Sequence, residues 1–167
     1  MKTLTIRVCL SFSKAYVQTS TDPSGWTKIF SFMFNVTTIY DSRVAAYINY
    51  ILVKFHDSLT DDEDKKKLET ITEKLLSFSG TQDRARCLNH DRREALGIKL
   101  KSSNNTQSFV ANKVASWFLR YICTLEYGNQ EQTNFRKLDK AMFMLGFDIS
   151  QIDKNAGFNK THNKSQQ

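Results

Sequence analysis

Apolar positions recur at helical spacing along most of this chain, and the exception comes first. Leu4, Ile6, Val8, Leu10 and Phe12 alternate with Thr3, Thr5, Arg7, Cys9 and Ser11. A period of two predicts a half-buried strand over residues 3–13. Such a strand needs a pairing partner for its backbone, either another chain or residues 32–40. A helix start over the same residues is the alternative. Arg7 interrupts the apolar run and no small-residue cleavage site precedes Ser20, so the segment reads as structure rather than as a signal peptide.

From Asp22 onward the period is helical. Asp22-Pro23 pairs an N-cap acceptor with a proline in the first turn, and Trp26, Ile29, Phe30, Met33 and Phe34 follow at helical spacing. Asp41 is the next N-cap, ahead of a stripe of Val44, Tyr47, Ile48, Ile51, Leu52 and Phe55. Thr60-Asp61-Asp62-Glu63 reads as a capping box, with Leu68, Ile71, Leu75 and Phe78 inward and Gly80 as the stop. Thr81 caps a further helix to about Leu100, with Ala85, Leu88, Ala95 and Leu96 inward. A polar loop over residues 101–107 then separates two halves.

Residues 108–127 form the most apolar helix. Val110, Val114, Trp117, Tyr121 and Leu125 line one side, Ala111, Ala115, Phe118 and Ile122 adjoin them, and only Asn112, Ser116 and Arg120 make a polar stripe. Such a helix is a central core element or an oligomer contact. A last helix carries Phe135, Leu138, Met142 and Leu145 inward, with Gly146 as its stop. The expected fold is mainly α, a bundle of about six helices with one candidate N-terminal strand. Residues 1–101 are the N-terminal helical half, 102–152 a C-terminal half sharing its core, and 153–167 a flexible tail.

Charge adds a location. The chain of 167 residues has a formal net charge of +7. Residues 1–80 hold 10 basic and 9 acidic side chains, and residues 81–167 hold 14 and 8, so the excess is +1 and then +6. On the helix after Thr81, Arg84, Arg86, Arg92, Arg93, Lys99 and Lys101 are the first candidate set for phosphate contacts. Arg136, Lys137 and Lys140 on the last helix are the second. Ion pairing with Asp83, Asp91 and Glu94 at one-turn spacing is the competing account of the first set. The Lys65-Lys66-Lys67 run follows four acidic residues, Asp61 to Asp64, and reads as a solvated, ion-paired face.

Chemistry is sparse. There is no phosphate-binding loop, dinucleotide fingerprint, zinc-protease motif or nucleophile elbow, and His56, His90 and His162 lack ligand spacing. His90-Asp91 and His56-Asp57 point about 100° apart on a helix, and Cys87 at three residues from His90 leans toward the apolar side. No catalytic residue, metal site or cofactor is expected. Cys9, Cys87 and Cys123 are odd in number and widely spaced, which fits buried thiols in a reducing, intracellular setting, cytoplasmic or nuclear. Asn35, Asn104, Asn159 and Asn163 begin glycosylation sequons that an Asn-, Ser- and Thr-rich chain carries by chance. No apolar run is long enough for a membrane span. Phe30, Phe32 and Phe34 read as core residues, with a membrane-surface or partner contact as the alternative, and Trp26 and Trp117 read as core anchors.

The leading expectation is a non-enzymatic basic helical protein that binds nucleic acid, RNA favoured, through backbone phosphates, reading shape rather than bases. Sequestering or packaging RNA as a viral or phage accessory protein is the role that suits its Asn/Lys/Phe/Ile-rich composition. A helix-turn-helix over residues 81–127 fits less well, because the loop at 101–107 is long and lacks Gly. Homo-oligomerisation, through the strand or the apolar helix, would multiply weak contacts. The alternative is a helical adaptor whose positive face steers it to an acidic partner protein. A secreted helical cytokine-like protein comes third.

Overall fold

Helices begin at Pro23 and after Asp41, where the sequence places them. The structure, a computed structural model, describes residues 23–78, 86–102, 105–128 and 131–158. Among these it is mainly α, with seven helices and one two-stranded sheet. The helices are α1 (Pro23–Met33), α2 (Ser42–Ser58), α3 (Asp62–Thr72), α4 (His90–Ala95), α5 (Asn105–Tyr127), α6 (Glu131–Leu145) and α7 (Ile149–Ile152). The candidate strand at residues 3–13, Cys9, Arg84 and residues 159–167 lie outside the described residues.

The Asp41 carboxylate accepts from the Arg43 and Val44 amides, satisfying donors that the first turn of α2 leaves free. For α3 the cap moves one residue along. Asp61 accepts from the Glu63 amide, so Asp rather than Thr60 fills the position. The lysine run is ion-paired as expected, with Lys65 at 3.5 Å from Asp62 and Lys67 at 3.3 and 3.0 Å from Glu63 and Asp64.

α3 stops at Thr72, well before Gly80. The Thr72 hydroxyl bonds the carbonyls of Leu68, Glu69 and Leu96, and the chain turns into the strand β1 (Leu76–Ser77). Ile71 is therefore exposed while Leu75 and Leu76 are buried. β1 pairs in parallel with β2 (Lys99–Leu100), with Leu76 opposite Lys99.

That sheet corrects the long helix expected up to Leu100. Asn89 caps a helix of 6 residues by accepting from the Arg92 amide. It ends in a Schellman motif, in which Gly97 donates to the Glu94 carbonyl and Ile98 to Arg93, with Gly97 at φ +64°. β2 follows this turn.

The core joins both halves. α2 packs on α6, and α6 on α5. Val44, Ile48, Val53, Leu119, Cys123, Phe135 and Met142 are all buried. The buried Tyr40 hydroxyl donates to the Leu76 carbonyl at 3.0 Å and accepts from its amide at 3.2 Å, and burial pushes the Tyr40 pKa up. The chain also stays docked past Asp153. Leu88 bridges Phe158, Asn89 donates to the Gly157 carbonyl at 2.8 Å, and Ala156 and Phe158 are buried.

Candidate nucleic-acid interface

The first basic set is dispersed. Arg86 is buried. Its Nε donates to the Phe147 carbonyl at 2.9 Å, its Nη1 to the Ser42 hydroxyl at 3.2 Å, and its guanidinium lies 4.9 Å from the Phe147 ring centre. Arg92 reaches Asp57 at 2.5 Å. Ser42 and Asp57 sit at opposite ends of α2, about 22 Å apart at 1.5 Å per residue. Arg93 Nε donates to the Leu88 carbonyl at 3.2 Å. Lys101 lies 4.8 Å from the Phe78 ring, and Lys99 is exposed on β2. A shared face for these cations needed one continuous helix from Thr81 to Leu100, and the Asn89 cap and the Gly97 turn interrupt it.

The second set is brought together with residues from elsewhere. Arg136 on α6 lies across the end of α1. Its Nη1 donates to the Thr37 carbonyl at 3.1 Å, and its Nη2 donates to Phe34 at 2.8 Å and to Ser31. A planar fork suits this position, because the last carbonyls of a helix have no partner within it. Arg136 Nη1 also lies 3.5 Å from Asp139 Oδ2, and the Thr38 hydroxyl donates to Asp139 Oδ1. Burial pushes the Asp139 carboxyl above the ordinary carboxylate value, against the opposing pull of Thr38 and Arg136, and the Asp41 charge adds to the rise.

Next to this clamp is an open cleft of about 410 Å³. Ile39, Val44 and Phe143 make its apolar wall, and Ser31, Phe32, Asn35, Arg136, Asp139 and Lys140 complete its lining. Lys137 and Lys140 are exposed on α6, one turn apart. On α1, Phe32 is 85 % exposed, and the exposed Lys28 lies one turn before it.

Phe32 is a surface residue rather than the core residue favoured from the sequence. On a helix Phe30 and Phe34 share a face, while Phe32 falls about 200° from Phe30. The rings of Phe30 and Phe34 are indeed 6.2 Å apart. Trp117 is likewise a surface residue rather than a core anchor. Cys87 and Cys123 are buried free thiols. Among the described residues no cluster of three metal-capable side chains occurs, and no helix is long and apolar enough to cross a membrane. No family model, curated protein or solved structure matches the chain.

Proposed function

We propose that the protein binds single-stranded nucleic acid across the rim of the cleft between α1 and α6. The observation that carries the reading is Phe32, 85 % exposed on a cleft that it shares with Lys140. An exposed ring beside cations is the combination that holds single strands. Bases stack on the aromatic face and lysines neutralise phosphates, with little dependence on sequence. In this reading Phe32 is the stacking platform, and Lys28, Lys137 and Lys140 are the phosphate contacts. Arg136 shapes the site by fixing the end of α1. A duplex offers no free base to stack, so a single strand replaces the shape-read duplex.

Anisotropy of a labelled 12-nucleotide RNA or DNA strand, titrated with the chain at several salt concentrations, tests this. Binding is expected at low salt. Phe32→Ala should weaken it about tenfold, within the roughly 1–3 kcal/mol of one stacked base. Lys137→Gln with Lys140→Gln should lower the log–log salt slope by about 1.4, at roughly 0.7 per phosphate contact on a single strand. Absence of binding at about 50 mM salt, or an unchanged slope in the double variant, overturns the reading.

A further inference from the structure

α5 has two apolar faces, and the core uses one. Ala111, Ala115, Leu119 and Cys123 are buried, and Asn112 and Ser116 of the polar stripe are buried with them. Asn112 Nδ2 donates to the Thr38 carbonyl at 2.5 Å, and the Ser116 hydroxyl accepts from the Thr38 amide at 3.1 Å. Val110, Trp117, Tyr121 and Leu125 are consequently exposed on the other side, Trp117 at 64 % and Leu125 at 66 %, with Val114 half-buried among them.

At about 100° per residue these five positions fall within an arc of roughly 80°. From Val110 to Tyr121 they are spaced four, three and four residues apart, which is the seam of a two-helix coiled coil. The stripe is about 22 Å long at 1.5 Å per residue. Its charged border has one sign. Up to Leu125 the charged side chains of α5 are Lys113 and Arg120, both exposed, and Lys113 Nζ lies 4.9 Å from the Trp117 ring centre. The other border, Phe118 and Ile122, is half-buried.

We infer that this face docks an acidic amphipathic helix of another protein. The partner helix lays an apolar seam along Val110 to Leu125 and sets carboxylates against Lys113 and Arg120. Charge selects this occupant over the others. An antiparallel second copy sets Lys113 of one chain against Arg120 of the other. A parallel copy sets Lys113 beside Phe118 and Arg120 beside Leu125 of the other chain, so neither cation gains a carboxylate. Residues 1–22 bring Lys2, Arg7 and Lys14 against a single Asp22, again the same sign. The stripe shares no residue with the cleft, so the inference stands apart from the nucleic-acid reading.

The test uses the full chain and two labelled 21-residue peptides with identical leucine/isoleucine seams, one flanked by Glu and one by Lys. Anisotropy should show binding of the Glu peptide that weakens with salt, and at least tenfold weaker binding of the Lys peptide. Trp117→Ala should lower affinity for the Glu peptide about tenfold with unchanged circular dichroism. Lys113→Glu should reduce the preference for the Glu peptide, and Lys137→Gln with Lys140→Gln should leave it unaltered. Equal binding of the two peptides, or binding of neither, overturns the inference. So does a dimer in sedimentation that Trp117→Glu disperses, or binding to phosphatidylserine vesicles in place of the peptide. A Leu125→Cys thiol that is shielded from maleimide in the monomer overturns it as well, because the chain itself then covers the stripe.

Discussion

Charged side chains in this protein differ by whether a backbone carbonyl faces them. Arg86 and Arg136 both terminate on carbonyls far away in sequence, Phe147 for the first and Ser31, Phe34 and Thr37 for the second. Lys137 and Lys140, beside Arg136 in sequence, remain at the surface. Composition treats all four as equal cations, and only position separates anchor from contact. Asp139 belongs to the same clamp and has a measurable consequence. Its folded carboxyl holds the proton more tightly than an unfolded one, so its ionisation opposes folding. Stability from this group is full below the ordinary carboxylate value and falls as pH rises through the raised one. Asp139→Asn removes that fall. Its urea midpoint relative to the parent chain should therefore climb between pH 4 and pH 7, and a constant difference would contradict the assignment.

At the scale of elements, helix ends are set by local hydrogen bonds. Asp41 fixes the start of α2, and Asn89 and Gly97 bracket α4, each by a local hydrogen bond. The apolar stripes continue past those ends, as with Leu75 and Phe78 after α3 and with Ile98 and Leu100 after α4. The Gly97 turn is testable. At φ +64° an alanine takes a left-handed conformation that costs about 1–2 kcal/mol. A Cβ there would lie 3.4 Å from the Glu69 carbonyl, an ordinary contact, so strain rather than collision sets the loss. Gly97→Ala should lower the unfolding free energy in urea by about 1 kcal/mol, and Gly97→Asn by less, since Asn tolerates this region better. Gly146 illustrates the opposite case, a site of close approach. A Cβ there would lie 1.9 Å from the Arg43 carbonyl, where α6 ends against the first turn of α2.

Among the described residues, the core is built by contacts between residues 23–101 and residues 105–158. Thr38 meets Asn112, Ser116 and Asp139, and α2 packs on α6. Neither half encloses its own core, which favours one cooperative unfolding transition. Cys87 and Cys123 are buried reporters, one in each half. In a urea series both thiols should become reactive at the midpoint where helical circular dichroism is lost. Two separated midpoints would show that the halves unfold independently.

Much of this chain follows from short-range information. Helix class, the cap at Asp41, the Pro23 start and the pairing of Lys65 and Lys67 all involve groups within about one turn, which a single sequence displays. The two apolar sides of α5 were equally visible, but their fates were not. Which side is buried depends on Thr38, 74 residues from Asn112. Which arginine is an anchor depends on a carbonyl 105 residues from Arg136. Periodicity states that a face is apolar, and burial requires another element to cover it. Tertiary packing made that choice, leaving Phe32 and the Trp117 stripe at the surface.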